Sequence, residues 1–86
     1  MYKLTQNHIS TTSGEQTTIL DHQAGIYYGL NEVGTFIWEI LRKQPADFDT
    51  LQAMIVEKFA VDEQVCAQDL KEILEDLMNA ELVEKI

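Results

Sequence analysis

The hydrophobic pattern changes period once, between residues 25 and 41, and that change organises the reading of the chain. Over residues 25–30 the side chains alternate. Ile26, Tyr28 and Leu30 fall on one face and Tyr27 and Gly29 on the other, which is a short strand rich in β-formers. Asn31 then has the short acceptor side chain of a helix N-cap, and Glu32 follows at the positive end of the helix dipole. From there Val33, Phe36, Ile37, Ile40 and Leu41 repeat as the apolar stripe of an amphipathic helix.

Upstream, residues 2–11 read as a strand whose apolar positions change parity. Tyr2 and Leu4 share one face and Ile9 takes the other, so a bulge or bend is expected between them. Ser13 and Gly14 supply a turn, and residues 15–21 alternate as a second strand. A short loop then ends on Gly25, the natural left-handed residue. Two successive hairpins make a meander in which the third strand, 26–29, lies at an edge.

Downstream, the first helix spans about 32–43, with Arg42 and Lys43 suiting its negative end and Pro45 preventing its continuation. Asp47 caps a second helix to about residue 60, with Leu51, Met54, Ile55 and Phe59 as its buried stripe. Asp62 caps a third and longest helix, to about residue 79. Its stripe is Cys66, Leu70, Ile73, Leu74, Leu77 and Met78. Leu82 and Val83 fold back as coil or a short extended piece. Three short strands need helical cover for their apolar face, so the expected class is α+β. The architecture is a three-stranded antiparallel sheet followed by three helices, winged-helix-like.

The 86 residues suffice for a single domain with one modest core. Charge changes the functional picture more than size does. Fifteen acids face six bases, for a net charge of −9. The first 43 residues hold only four of those acids (Glu15, Asp21, Glu32, Glu39), so the second half is strongly acidic. Such a surface repels phosphate backbones and favours a basic peptide or protein partner, or simply keeps the domain soluble. No apolar run is long enough to span a membrane, and the first residues lack the core of a signal peptide, so the expected location is cytoplasmic.

Catalytic chemistry finds no foothold. His8 and His22 lack a second ligand at metal spacing, and both read as surface residues. Ser10 and Ser13 lack a nucleophile-elbow setting. Residues 29–34 lack the spacing and lysine of a phosphate-binding loop. Cys66, the single cysteine, falls on an apolar helix face and reads as core filler. The expectation is a protein without enzymatic activity, metal or cofactor.

A binding role does find one. Tyr28 reads as a core residue and Tyr27 as partly exposed, while Gly29 lets another backbone approach closely. An unpaired edge at 25–30 offers amides and carbonyls to an extended peptide. Each exchanged hydrogen bond nets about 0.5–1.5 kcal/mol, against roughly 2–5 kcal/mol to order a flexible segment. Micromolar binding needs about −8 kcal/mol, so two apolar anchors are expected in pockets between the third strand and the third helix. On that helix Cys66, Leu70, Ile73 and Leu77 cluster. Asp69 and Asp76 lie at one margin, placed either to guide a basic peptide or as an ordinary solvated edge. Trp38 lies off the centre of the first helix's stripe, at the core edge or facing a partner.

The run Tyr27-Tyr28-Gly29-Leu30-Asn31-Glu32-Val33-Gly34, with Ile37-Trp38-Glu39-Ile40-Leu41 after it, resembles the small PqqD-like proteins. It is most similar to the stand-alone members that serve lasso-peptide biosynthesis. Asp69-Leu70 followed by Ile73-Leu74 and Leu77 is likewise similar to that family's third helix, with Leu70 and Ile73 in place of the commoner Val and Phe. The resemblance implies a recognition element for ribosomally synthesised and modified peptides. Its leader-peptide ligand lies between the third strand and the third helix, and is presented to a leader protease and a cyclase. The binding residues so implied are Ile26, Tyr27, Tyr28, Gly29, Leu30, Cys66, Asp69, Leu70, Ile73, Asp76 and Leu77. A peptide chaperone for a radical enzyme in quinone-cofactor or other modified-peptide synthesis is the alternative. A winged-helix nucleic-acid binder is a remote third, opposed by the acidic last helix. The same strand edge also admits a second copy of the chain, as a homodimer.

Overall fold

Among the described residues, five strands and three helices follow one another as β1 (Tyr2–Leu4), β2 (His8–Ser13), β3 (Gln16–Asp21), β4 (Ile26–Leu30), α1 (Glu32–Lys43), α2 (Phe48–Phe59), α3 (Glu63–Asn79) and β5 (Val83–Lys85). The computed structural model describes residues 1–6, 8–22 and 24–86.

The strands form two antiparallel sheets. One is three-stranded with the order β2-β3-β4, and the other pairs β1 with β5. The stretch 2–11 is therefore not one bent strand. Its first part pairs with the C-terminal segment, Tyr2 opposite Lys85 and Leu4 opposite Val83, and its second part begins the meander. The parity change between Leu4 and Ile9 marks a change of sheet, and Asn7, where the bend was expected, lies outside the described residues. β1 is held from a second side, because Tyr2 exchanges backbone hydrogen bonds with Ala46 at 2.7 and 3.1 Å. Leu82 and Val83 are buried, so the tail that follows α3 is part of the core.

The helix boundaries follow the caps. Asn31 Oδ1 accepts from the Gly34 amide at 2.9 Å and Asp47 Oδ1 from the Thr50 amide at 2.8 Å. Asp62 Oδ1 accepts from the amides of Gln64 and Val65. Each satisfies donors that the first helical turn leaves without intrahelical partners. Gly14 and Gly25 both take positive φ in the two hairpin turns, where a Cβ would be strained.

The core joins Ile19 of β3, Ile37, Trp38 and Leu41 of α1, Leu51 and Ile55 of α2, and Cys66, Leu70, Leu74 and Leu77 of α3. The expected stripe of α1 is widened and that of α2 loses one member. On α1 the buried set is Gly34, Thr35, Ile37, Trp38 and Leu41, with Val33, Phe36 and Ile40 half-buried. The helix is contacted by β1, by β3 and β4 of the three-stranded sheet and by α2, so its buried face is wider than one stripe. Trp38 is accordingly fully buried instead of sitting at the core edge, and it donates from Nε1 to Ser10 Oγ at 3.1 Å. His8, expected at the surface, is half-buried with its ring 5.2 Å from that of Trp38. On α2, Met54 is 39% exposed, and the helix packs through Leu51 and Ile55 with Phe59 half-buried against the core.

Candidate functional site

The site begins at the edge of a sheet. In the order β2-β3-β4, one side of β4 pairs with β3 and, among the described residues, no strand pairs with the other. The backbone groups on that side are available to an extended chain.

Register fixes which side chains flank this edge. Tyr28 stands opposite the buried Ile19 and Leu30 opposite the buried Thr17, so both point to the helical layer, where they are half-buried. Ile26 shares their face, but it lies beyond the helical cover and is 47% exposed. Tyr27 is on the outer face and is 70% exposed. It stands opposite Leu20, which stands opposite Ile9, so one apolar row crosses all three strands on the side away from the helices. A Cβ built on Gly29 meets no atom within 4 Å, so nothing inside the chain requires a glycine there.

The joint from β4 to α1 is short and fixed. Besides the Asn31 cap, a Cβ on Gly34 would come within 3.2 Å of Leu30 Cβ, so a side chain there would push strand and helix apart. α1 packs on β1, β3, β4 and α2, while α3 packs on α2 and β5. The three helices leave an apolar hollow of about 60 Å³ where their packing is incomplete. Val33 of α1, Ile55 and Phe59 of α2, and Val65, Cys66 and Leu70 of α3 line it, with Val61 and Asp69 completing the wall.

This hollow brings together three residues singled out from the sequence: Cys66, Asp69 and Leu70. Ile73, half-buried, Asp76, exposed, and Leu77, buried, continue along α3 outside it. The other wall residues were not legible as site residues. Val61 and Val65 carried the available signal, being apolar residues off the α3 stripe that remain 39% and 56% exposed. Burial pushes the Cys66 thiol above its ordinary pKa, and the nearby carboxylates of Asp69 and Glu63 push it the same way. The thiol therefore presents a small apolar surface to the hollow instead of a nucleophile.

A larger cleft of about 400 Å³ opens between the two sheets, among Lys3, Gln6, His8, Asp21, Glu81 and Glu84. None of the residues implied by the resemblance lines it. Among the described residues no three His, Cys, Asp or Glu side chains gather in a metal-holding group, and no helix is long and apolar enough to cross a membrane.

No curated protein matches the chain in sequence. Two solved structures share its fold over nearly its whole length. The TbiB1 protein in complex with the TbiA(beta) leader peptide is 28% identical, with a TM-score of 0.88 over 98% of this chain and 96% of that one. A lasso peptide synthetase B1 complexed with its leader peptide is 15% identical, with a TM-score of 0.81 over 98% of each chain, a likeness of fold. The sequence profile of coenzyme PQQ synthesis protein D matches residues 16–83, from the start of β3 into β5. The chain belongs to the PqqD family.

Proposed function

We propose that this protein is a leader-peptide-binding adaptor of lasso-peptide maturation, acting as a single recognition domain over residues 1–86 without chemistry of its own. The observation that carries the reading is the free edge of β4, within a fold that its relative TbiB1 uses to hold a leader peptide. The leader of a ribosomally made precursor adds to the sheet as a strand along 26–30 and lies towards α3. Tyr27, Tyr28 and Gly29 supply backbone pairing, with Ile26 and Leu30 flanking the strand. Cys66, Leu70, Ile73 and Leu77 form the apolar wall, and Asp69 and Asp76 guide a basic segment into place. Holding the leader raises the effective concentration of the core peptide at the enzymes that process it, a leader protease and a cyclase.

The family profile itself favours one second reading, in which the peptide is presented to a radical enzyme of quinone-cofactor synthesis. Binding physics is the same in both, and the partner enzyme differs.

Fluorescence anisotropy with the labelled leader encoded beside this chain tests the proposal. Binding in the micromolar range or tighter is expected, weakened more than tenfold by Ile73→Glu and by Tyr27→Pro, both checked for folding by circular dichroism. A leader that fails to bind the unmodified protein removes the adaptor role. Purified protease and cyclase, or a radical enzyme, added to the complex then decide between the two readings.

A further inference from the structure

As one wall of the proposed peptide site, α3 is held very differently at its two ends. Among the described residues only two non-glycine positions take a positive φ, Ala60 at 52° and Glu81 at 60°, and they lie in the links before and after α3. The left-handed region disfavours a Cβ, and residues kept there cluster at clamps and switches. Resting on the leader-binding reading, we propose that α3 is a hinged wall. Its N-terminal half turns about Ala60 into the three-helix hollow as the peptide seats, while its C-terminal end stays fixed.

The C-terminal end is anchored on both sides of Glu81. The Glu81 amide donates to the Met78 carbonyl at 3.0 Å and the Leu82 amide to the Leu77 carbonyl at 2.9 Å. From the segment after β1, Thr5 donates its hydroxyl to the Glu81 carbonyl and its amide to the Leu82 carbonyl. Leu82 and Val83 are buried, so the tail cannot shift without uncovering core. At the other end residues 60–65 are all exposed, and the first buried residue of α3 is Cys66. Ala60 donates its amide to the Val56 carbonyl. Gln52 ties the first turn to α2, donating to the Glu63 carbonyl at 3.0 Å and accepting from the Cys66 thiol at 3.9 Å. These neutral ties resist a small turn less than a buried tail does.

The hollow supplies the room. Close-packed interiors do not deform, so a helix moves only where its packing leaves space. About 60 Å³ is open where Val33 and Ile55 face Cys66 and Leu70, roughly the volume of two waters. Helix shifts of about 1–2 Å are the size that such switches use. Cys66 and Leu70 line the hollow and also belong to the proposed peptide wall, so peptide and hollow act on the same turn of α3. The peptide favours the turned position through contacts made there, the differential that any ligand-driven shift needs. Turning also brings the exposed Val61 and Val65 of the hollow's wall against apolar neighbours.

Methyl relaxation dispersion on the full-length protein, free and saturated with the leader encoded beside it, tests the hinge. Millisecond exchange is expected at the methyl groups of Val33, Ile55, Val65 and Leu70 in the free protein and is lost on saturation. None is expected at Leu77, Leu82 or Val83 in either state. Val33→Ile fills part of the hollow from α1, outside the proposed peptide contacts. It is expected to raise the melting temperature and, by anisotropy, to weaken leader binding at least fivefold. A leader that binds the unmodified protein without exchange around the hollow, or binds Val33→Ile as tightly, overturns the hinge and leaves the adaptor reading standing. A leader that does not bind at all overturns both.

Discussion

The indole N–H of Trp38 donates to the hydroxyl of Ser10 across 3.1 Å, tying the middle of α1 to the strand of the sheet farthest from β4. Trp38 is fully buried, so its N–H has no water to fall back on. Leaving such a donor unmatched costs about 1–3 kcal/mol, more than the bond itself contributes. Ser10→Ala is therefore expected to lower the melting temperature by roughly 4–8 °C per kcal/mol lost, as in other domains of this size. Thermal or urea unfolding followed by fluorescence reads it directly, because Trp38 is the single tryptophan.

That contact also shows where sequence reasoning ran out. The helix limits were legible because local chemistry sets them: Asn31, Asp47 and Asp62 cap, and Pro45 stops the first helix. The edge strand was legible because its two-residue period runs into the helical one at a cap. Trp38 is buried beyond the expected stripe because a stripe drawn at 100° steps assumes one buried face, whereas α1 is covered by strands of both sheets and by α2. The pairing of β1 with β5 was invisible for a different reason. Each is three residues long, too short to show a period, and about eighty residues of chain separate them. The hollow was half legible. Cys66, Asp69 and Leu70 share one helix and one spacing, while Val33, Ile55 and Phe59 reach it only through the packing of three helices.

The C-cap of α2 offers a stabilising change. Ala60 sits there with φ 52° and ψ 44°, the left-handed region that a Cβ disfavours by about 1–2 kcal/mol. Glycine removes that cost and gives back part of it through the entropy of the unfolded chain. Ala60→Gly is expected to raise stability by roughly 0.5–1 kcal/mol at a site outside the proposed peptide contacts. Urea midpoints with an unchanged denaturant slope verify it, and a lower midpoint contradicts the cap argument.

Acid titration isolates the cap at the start of α2. Hydrogen bonds from the Thr50 side chain and then its amide hold the Asp47 carboxyl below the usual carboxylate range. Because the folded state holds this proton more weakly than the unfolded one, the stabilisation is complete above the unfolded pKa. It is lost as pH falls through the lowered folded value. Asn is an equally good cap without the charge. Asp47→Asn is thus expected to melt below the unmodified protein at neutral pH, with the gap closing in acid. Paired melts at pH 7 and at a pH below the usual carboxylate range settle the direction. A gap that stays constant assigns the effect to geometry instead of charge.

Gly29 separates what the fold needs from what the peptide needs. In the middle of β4 a glycine weakens the strand, since it packs nothing and loses more backbone freedom on folding than any other residue. The chain gains nothing in exchange, because a Cβ there meets no atom within 4 Å and the backbone is not in the left-handed region. A β-branched residue should therefore stabilise the protein, by an amount within the roughly 1 kcal/mol span of strand preferences. If the bare backbone at Gly29 instead serves the close approach of an added strand, the same change crowds the peptide. Gly29→Val is expected to raise the melting temperature while weakening leader binding at least fivefold. Calorimetry and anisotropy on one preparation measure both. Equal affinity in the more stable variant would move the peptide away from this part of the edge, and lower stability would mean that the glycine serves the fold after all.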